Sequence, residues 1–325
     1  MHDVAKEAGV SPQTVSRVIR SPNMVAENTR KKVEAAINRL NYIFDYAASD
    51  LASNQSRFVA AIIPRISFSL YENTVSTLSS ELLAAGYQLL LGNTEFSLVS
   101  EEAAIRTFLG RRPEALMVIG LNHTEKAHDL MRNASIPIVQ TMELCPSPID
   151  TVVGYSNHDA SYELTQLLLT KGYSSIAYVG VTGEARNSQR RQGYLDAVAL
   201  TGVPPIVVEH SYRLSYEGMG AKGLNDVLDA NADTDAVVFA NDSLAVGAIF
   251  ECQRRKIDIP GEIAIAGFGD FEISSHINPG LTTVHIRSHD IGRSVAQVII
   301  ARLNGSDPLP KVIDVGYDII ERASI

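Results

Sequence analysis

From Phe58 onward the sequence repeats one theme, which is a short apolar strand, a polar turn and an amphipathic helix. Continuous apolar strands that alternate with helices are typical of a parallel sheet covered on both faces. About ten such repeats would supply more strands than one sheet usually contains. The pattern therefore predicts an α/β fold with two doubly wound parallel-sheet subdomains and a cleft between them.

The expected elements follow from the positions of these runs. Strands are predicted at residues 59–63, 88–91, 115–119, 136–140, 151–154, 176–179, 206–208, 236–239, 263–267, 282–285 and 311–315. Helices are predicted at residues 73–85, 100–111, 159–171, 187–200, 216–229, 243–255 and 288–304.

Three short helical patterns precede this repeating region. Asp3 is expected to cap the first helix, and Gly9 lies where it stops. Ser11 is expected to cap the second helix, with Pro12 at its first position, where the missing N–H costs nothing. A third helix is predicted at residues 27–40, with Leu40 on its apolar face. Three short helices in about forty residues predict a helix-turn-helix unit.

The second helix has one apolar and one polar face. Its inward positions are Val15, Val18 and Ile19, and its outward positions are Gln13, Thr14, Ser16 and Arg17. Gln13 and Arg17 are four residues apart on one face, and these residue types bind adenine and guanine bidentately. An ordinary helical hairpin is the alternative, but the outward side chains favour DNA binding.

The distribution of charge supports a nucleic-acid module at this end. The net charge of the chain is -9, yet residues 1–57 carry 8 Lys and Arg against 6 Asp and Glu. Residues 58–325 carry 20 against 31. A mildly basic head on an acidic body is expected of a small DNA-binding unit attached to a larger domain.

Other functional classes find weaker support. Cys145 and Cys252 lie far apart, without thiols or histidines at metal-ligand spacing. The stretch "GFGDFE" resembles a dinucleotide loop, but Glu272 stands where the third glycine should be. We therefore predict no enzyme activity, no cofactor and no metal. Without an apolar run of about 20 residues or a visible secretory signal, we also expect a cytoplasmic protein with no membrane contact.

A small-molecule site is predicted where polar residues follow the strands. Arg65, Asn241, Asp242 and the pair 269–270 come directly after predicted strands, and Arg190 opens the helix that follows another. Ligands of doubly wound sheets bind at the carboxyl ends of the strands, so these groups are expected to converge on one crevice. For an arginine on a helix, a solvated face is the alternative.

These motifs resemble the lactose-repressor (LacI/GalR) family of transcription regulators over essentially the whole chain. The resemblance rests on four stretches, which are "DVAKEAGVSPQTVSRVI", the hinge-like "DLAS", "NDSLAVGAIFECQRRKIDIPGEIAIAGFGD" and "PGLTTV". Within the family, "VGYSNHDA" is most similar to repressors of gluconate utilisation. The resemblance implies a periplasmic-binding-protein-like core and a homodimer that binds a palindromic operator.

The resemblance also implies how the chain is divided. The helix-turn-helix domain would span residues 1–43, a hinge helix or linker residues 44–57, and the effector-binding core residues 58–325. The two subdomains would be 58–153 with 286–311, and 154–285 with 312–325. On DNA, the second helix would enter the major groove, while Ala48 and Leu51 would belong to a hinge helix whose Leu51 wedges into the minor groove.

Two departures from the family point to the ligand. Sugar-binding members place an aspartate where this chain has Gly269, and many have a serine where it has Arg65. The loss of a carboxylate and the gain of a cation favour an anionic effector. We therefore hypothesise that the protein is a repressor controlled by a sugar acid, gluconate first, held by Arg190 and Arg65 with Asn241 on its hydroxyls. For the effector, the alternatives are a keto-gluconate, a phosphorylated relative, or a different sugar or sugar phosphate. For the protein, the alternatives are a solute-binding protein and a nucleotide-dependent enzyme.

Overall fold

The computed structural model describes residues 1–20, 22–44, 56–66, 69–183, 185–211, 215–306 and 310–325. Contacts divide the chain into two units, Met1–Ser56 and Arg57–Ile325. The predicted hinge residues Ala48 and Leu51 lie outside the described residues. No helix of the described part is both long and apolar enough to span a membrane.

The described part of the first unit contains three α-helices, α1 (His2–Ala8), α2 (Pro12–Arg20) and α3 (Glu27–Arg39). They enclose a small core of aliphatic side chains, formed by Val4, Ala5, Val15, Val18, Val33 and Ala36. Gly9 ends α1 in the left-handed conformation, with a φ of 66°, which a glycine adopts without steric cost.

Two details of this unit differ from the sequence-based expectation. The first helix begins at His2, so Asp3 lies inside its first turn, where a negative charge is favourable, and is not the cap. Helix α3 ends at Arg39, so Leu40 is its C-cap rather than part of its apolar face, and Leu40 is 42% exposed.

The second unit is an α/β fold with two six-stranded sheets. Its strands are β1 (Phe58–Ile63), β2 (Gln88–Asn93), β3 (Ala115–Ile119), β4 (Ile138–Thr141), β5 (Thr151–Gly154), β6 (Ile176–Val181), β7 (Ile206–His210), β8 (Ala236–Phe239), β9 (Ala264–Gly269), β10 (Thr282–Ile286), β11 (Val312–Asp314) and β12 (Tyr317–Ile320). The first sheet has the order β11-β5-β4-β3-β1-β2 and the second has the order β12-β10-β9-β8-β6-β7.

All strand pairs of both sheets are parallel except β12, which pairs antiparallel with β10. The central strands β3, β4, β6, β8 and β9 are buried along their whole length, as expected for strands covered on both faces. The prediction of two doubly wound sheets is confirmed.

The helices of the second unit connect these strands. They are α4 (Glu72–Ala84), α5 (Leu98–Gly110), α6 (Glu125–Arg132), α7 (Asn157–Thr170), α8 (Ala185–Ala199), α9 (Tyr216–Ala230), α10 (Asp242–Arg255), α11 (Glu272–His276) and α12 (Ser288–Leu303). Helices α6 and α11 and strand β12 were not predicted from the sequence.

Three described segments carry the chain between the two sheets. Helix α7 follows β5 of the first sheet but packs on β10 and β12, and α12 follows β10 but packs on β4 and β5. The third crossing joins β11 to β12. The sequence-based expectation placed the boundary between the two subdomains at residue 312. The structure places β11 in the first sheet, because β11 pairs with β5. The crossing follows Asp314, and Gly316 turns the chain with a φ of 69°.

Arg287 joins two of these crossing segments. Its Nε and Nη2 donate to the two carboxylate oxygens of Asp318, at 2.9 and 2.8 Å, and its Nη1 donates to the carbonyl oxygen of Val315 at 3.2 Å. A bidentate pair of this kind fixes both distance and orientation. The second and third crossings are therefore tied to each other.

Candidate functional site

Helix α2 has the start that the sequence predicts. The Ser11 hydroxyl accepts a hydrogen bond from the Thr14 backbone N–H at 3.1 Å, and the two hydroxyl oxygens of Ser11 and Thr14 are 2.9 Å apart. Pro12 is the first helical residue. The cap satisfies one of the free N–H groups at the helix end and so sets the register of every side chain that follows.

The register gives α2 one buried and one exposed face. Val15 and Val18 are buried in the core of the first unit, whereas Gln13 and Arg17 are exposed one helical turn apart. The other predicted contact residues, Pro12, Thr14 and Ser16, are half-buried. An amide and a guanidinium on one solvent-facing edge of a short helix have the chemistry needed to read base edges in a major groove.

In the second unit, a cavity of about 220 Å³ lies where the carboxyl ends of the two sheets face each other. Loops after β1, β2, β3 and β4 line it from the first sheet, and the segment from the end of β6 into α8 lines it from the second. Its polar lining residues include Thr94, Ser97, Glu101, Asn122, Glu143, Thr182 and Arg186. This is the crevice expected for a doubly wound fold.

Arg190 lies in the first half of α8 and is only 4% exposed. Its Nε donates to Asn157 Oδ1 at 2.9 Å, its Nη1 to the Ala240 carbonyl at 2.5 Å and its Nη2 to the Tyr155 hydroxyl at 3.3 Å. The guanidinium also stacks over the Phe268 ring, 3.8 Å from its centre. Arg190 is thus fixed by groups of the second sheet and by the crossing that follows β5, and the solvated-helix alternative is wrong.

Asn241 and Asp242 lie at the start of α10, directly after β8. The Asn241 side-chain oxygen accepts from the Leu244 N–H at 3.0 Å, so that Asn241 caps the helix. Asp242 is fully buried and accepts from the Thr283 hydroxyl at 2.6 Å and from the Phe271 N–H and Ser274 hydroxyl at 2.7 Å. Asp242 therefore stabilises the loop after β9.

Arg65 follows β1 on the opposite side of the crevice. Its Nε donates to Glu95 Oε2 at 2.9 Å, and its guanidinium carbon lies 5.2 Å from the centre of the Phe96 ring, which lines the cavity. The Arg65 side chain is 32% exposed. The structure therefore brings Arg190 next to Ala240, the neighbour of Asn241, whereas Arg65 lies apart with Glu95 and Phe96.

None of the charged residues that line the cavity was predicted from the sequence, and these residues are Glu101, Glu143 and Arg186. Glu143 is 2% exposed, and burial raises its pKa, although the charges of Arg186 and Arg190 oppose that rise. Arg186 is also buried, and its Nη2 donates to the Tyr71 hydroxyl at 2.7 Å. Glu143 follows β4 almost directly, and Arg186 precedes Arg190 by one helical turn. Both residues therefore lie at the carboxyl ends of strands, which is the criterion by which Asn241 was predicted.

Gly269, where the family resemblance implies an aspartate in sugar-binding members, has a backbone conformation that favours glycine. Its φ is 135°, and a Cβ atom there would lie 2.4 Å from a carbon of the Phe271 ring. The next residue, Asp270, is paired with His285 Nδ1 at 2.8 Å and with Arg322 Nη2 at 2.7 Å. Asp270 therefore already has two cationic or hydrogen-bonding partners.

No group of three or more His, Cys, Asp or Glu side chains among the described residues is arranged to hold a metal ion. Glu272, which interrupts the dinucleotide-like glycine pattern, opens the five-residue helix α11. A helix N-terminus with a glutamate at its first position is unfavourable for a pyrophosphate.

Comparisons with known proteins agree with this architecture. Residues 1–45 match the family model described as bacterial regulatory proteins, lacI family, and residues 165–325 match a periplasmic binding protein-like domain. The HTH-type transcriptional regulator IdnR of Escherichia coli is 32% identical over 320 residues, which cover 98% of this chain and 96% of the relative.

Two further relatives extend over the whole chain. The HTH-type transcriptional regulator GntR of Pseudomonas aeruginosa is 32% identical over 325 residues, 100% of this chain and 95% of its own length. The crystal structure of a LacI family transcriptional regulator from Silicibacter pomeroyi superimposes with a TM-score of 0.90 at 30% identity, covering 99% of this chain and 98% of that one. The chain thus belongs to the LacI family of bacterial regulatory proteins, and it is a DNA-binding transcriptional regulator, not an enzyme.

Proposed function

We propose that this regulator is a cytoplasmic repressor that binds a palindromic operator as a homodimer and responds to a sugar-acid effector, with D-gluconate as the first candidate. On the operator, α2 enters the major groove through Pro12, Gln13, Thr14, Ser16 and Arg17, and a hinge segment that contains Ala48 and Leu51 contacts the minor groove. The exposed pair Gln13 and Arg17 on a capped helix supports the first part.

The buried guanidinium of Arg190 carries the proposal of an anionic effector. In the described part of the chain its three hydrogen-bond acceptors, Asn157, Ala240 and Tyr155, are uncharged, so none of them neutralises its positive charge directly. A buried cation of this kind is stabilised when a carboxylate binds next to it in a site that excludes water. Arg65, at the rim of the same cleft, adds a second cation. The Asn241 amide is uncharged and can form a hydrogen bond with a ligand hydroxyl.

The glycine at position 269 supports the same conclusion. A carboxylate at this position would repel an anionic ligand, whereas the backbone conformation of Gly269 excludes a side chain there without rearrangement. The sequence motif "VGYSNHDA", which resembles repressors of gluconate utilisation, makes gluconate the first sugar acid to test.

The proposal can be tested by fluorescence anisotropy with an operator selected from random duplex DNA by the wild-type protein. We expect gluconate to change operator affinity and Arg190→Ala to abolish that response while operator affinity alone stays within about threefold. Arg190→Ala leaves the acceptors of three hydrogen bonds unpaired, so its thermal melting is measured in parallel.

Arg191→Ala is the matched control, because Arg191 is the next residue on α8 but its Nη1 pairs with Glu209 at 2.8 Å. We expect it to retain both operator binding and the gluconate response. If neutral hexoses changed operator affinity and gluconate did not, the proposed effector class would be wrong.

A further inference from the structure

Positive charge gathers where the strands of the first sheet begin. Arg57 directly precedes β1, and Arg111 and Arg112 follow the end of α5. Arg132 ends α6, which leads into β4, and Lys311 directly precedes β11. All five side chains are exposed. Residues 58–325 carry 20 Lys and Arg against 31 Asp and Glu, so such a cluster is not expected from the composition of this unit.

Three of these arginines form one surface, which we call the basic edge and which consists of Arg57, Arg111 and Arg112. The Arg57 N–H donates to Glu114 Oε1 at 3.2 Å, and the Glu114 N–H donates to the Phe58 carbonyl at 2.8 Å. The N–H groups of Arg111 and Arg112 donate to carbonyls of the last turn of α5, at 2.8 and 3.0 Å. The three side chains therefore leave a backbone that is held by hydrogen bonds.

The charges of the basic edge are not neutralised within the described part of the chain. No carboxylate there forms an ion pair with the side chains of Arg57, Arg111 or Arg112. Arg112 also lines a groove of about 560 Å³ together with Arg106 and Lys126, and Asp129 is the one acidic residue among the described groove residues. An anionic partner would therefore find an excess of cations at this surface.

The helix dipole offers a purely structural explanation for part of this pattern. A cation at the end of a helix is stabilised by typically 0.3–1 kcal/mol, and Arg111, Arg112 and Arg132 are at such ends. The same explanation does not extend to Arg57 and Lys311, which precede strands. The cluster thus needs a reason that applies to the whole edge of the sheet.

The basic edge lies where the chain enters the second unit. The first unit ends at Ser56, and Arg57 is the first residue of the second. Phe44 and Arg57 are 13 residues apart, so the connection can extend over at most about 45 Å. A duplex carries about one negative charge per 1.7 Å of its axis. A tether of this length raises the effective concentration of the basic edge at any DNA that the first unit binds.

We propose that Arg57, Arg111 and Arg112 bind phosphate groups of the DNA that flanks the operator, as an auxiliary contact that adds affinity without reading sequence. Guanidinium groups bind phosphates bidentately, and phosphate contacts carry no sequence information directly. The inference rests on the proposed operator binding and is independent of the effector.

Fluorescence anisotropy with two duplexes of different length tests this inference. The shorter duplex carries the selected operator alone, and the longer one adds about 12 base pairs of unrelated sequence, roughly 40 Å, on each side. We expect the wild-type protein to bind the longer duplex about tenfold more tightly at 0.1 M salt, because counterions are released from additional phosphates. The double variant Arg111→Ala/Arg112→Ala should lose most of this preference and bind the shorter duplex as the wild type does.

The salt dependence of binding provides a second readout. Each phosphate contact adds about 0.9 to the slope of the logarithm of the association constant against the logarithm of the salt concentration. On the longer duplex, Arg111→Ala/Arg112→Ala should reduce this slope by about 2 for each protomer, whatever the sequence of the flanks. Arg111→Lys/Arg112→Lys keeps the charges and should keep both the slope and the preference for length.

A matched control removes the same charge from exposed ion pairs elsewhere in the second unit. Arg293 Nη1 pairs with Asp290 at 2.8 Å on α12, and Lys222 pairs with Asp226 on α9. Arg293→Ala/Lys222→Ala should bind both duplexes as the wild type does. An equal loss in this control would overturn the inference, since the net charge of the protein would then be responsible.

The remaining outcomes are distinguishable. If a folded Arg111→Ala/Arg112→Ala variant keeps the wild-type preference and slope, the basic edge faces a partner other than DNA, such as an acidic protein, and the inference is wrong. Equal losses on the two duplexes would also contradict it. If no preferred sequence can be selected, the operator proposal fails, whereas two lengths of random duplex still test the basic edge.

Discussion

Individual carboxylates in this protein have pKa values that their surroundings shift in opposite directions. Glu251 on α10 accepts from Arg254 Nε at 2.8 Å and Nη2 at 2.5 Å, and from the Asn225 amide at 3.1 Å. These bonds, first that of Arg254 and then that of Asn225, lower the pKa of Glu251 to about 2. Glu143 shows the opposite effect, since burial dominates there.

The lowered pKa predicts a pH-dependent contribution of Glu251 to stability. The ionised form is favoured by folding, so this contribution is complete above the ordinary glutamate pKa of 4.5 and is lost as the pH falls towards about 2. Glu251→Gln should therefore lower the melting temperature at pH 7, and the difference from the wild type should shrink steadily below pH 4.5.

Differential scanning calorimetry between pH 7 and pH 3 measures this difference. Glu81→Gln, at an exposed glutamate on α4, is the control and should leave the melting temperature almost unchanged at every pH. A gap between Glu251→Gln and the wild type that stayed constant down to pH 3 would contradict the assignment.

At the same scale, the sequence indicates some functional residues better than others. Arg190 and Asn241 are identifiable because each follows a long apolar strand in a pattern that predicts a sheet edge. Glu143 is harder to identify, because the strand before it was expected to end at residue 140 and ends at Thr141. The partners of Arg190 also depend on contacts between distant segments, which a local pattern does not contain.

Among the helices, α9 and α10 make an unusually close contact through two glycines. A Cβ atom on Gly220 would lie 1.9 Å from the Leu244 carbonyl oxygen, and one on Gly247 would lie 2.0 Å from the Glu217 carbonyl oxygen. Each glycine thus faces the backbone of the other helix. Backbone atoms cannot move aside as a flexible side chain can, so the contact depends on the absence of both Cβ atoms.

Gly247→Ala should therefore separate the two helices and destabilise the protein by roughly 1–3 kcal/mol, the usual cost of overpacking a buried site. Urea unfolding monitored by circular dichroism measures the loss. Gly110→Ala is the matched control, because no atom lies within 4 Å of the added Cβ at the end of α5. It should be neutral or more stable by up to about 1 kcal/mol, and an equal loss in both variants would rule out the contact as the cause.

The long helices were predictable because their apolar periodicity is strong, whereas the missed elements have weak patterns. Helix α6 buries only Ala127 and Met131, α11 has five residues, and Asp318 interrupts the apolar run of β12. A local sequence pattern also could not predict the sheet to which β11 belongs. Its apolar residues fit either sheet, and only the pairing with β5 decides between them.

For the molecule as a whole, the effector and the operator must influence each other equally. The cleft proposed for the effector is lined by both halves of the core, so a ligand bound there would have different contacts when the halves are closer or farther apart. If such a change alters operator affinity, linkage requires that operator DNA alter effector affinity by the same factor, typically 5–150-fold.

Titration calorimetry of gluconate with the free protein and with its operator complex measures this coupling. If gluconate releases the operator, we expect gluconate to bind more weakly to the complex, by the same factor by which it lowers operator affinity. If gluconate bound the free protein and the operator complex with equal affinity, gluconate would not be the effector that controls operator binding.

The three crossings of the chain also bear on how such a gene can exchange parts with its relatives. The first unit ends at Ser56, so one recombination junction replaces everything that reads DNA. Each half of the core, in contrast, is assembled from separate stretches joined near residues 155–156, 287 and 315–316. Replacing one half requires all three junctions in register. Recombination should therefore shuffle operator preferences among these regulators far more readily than halves of an effector cleft.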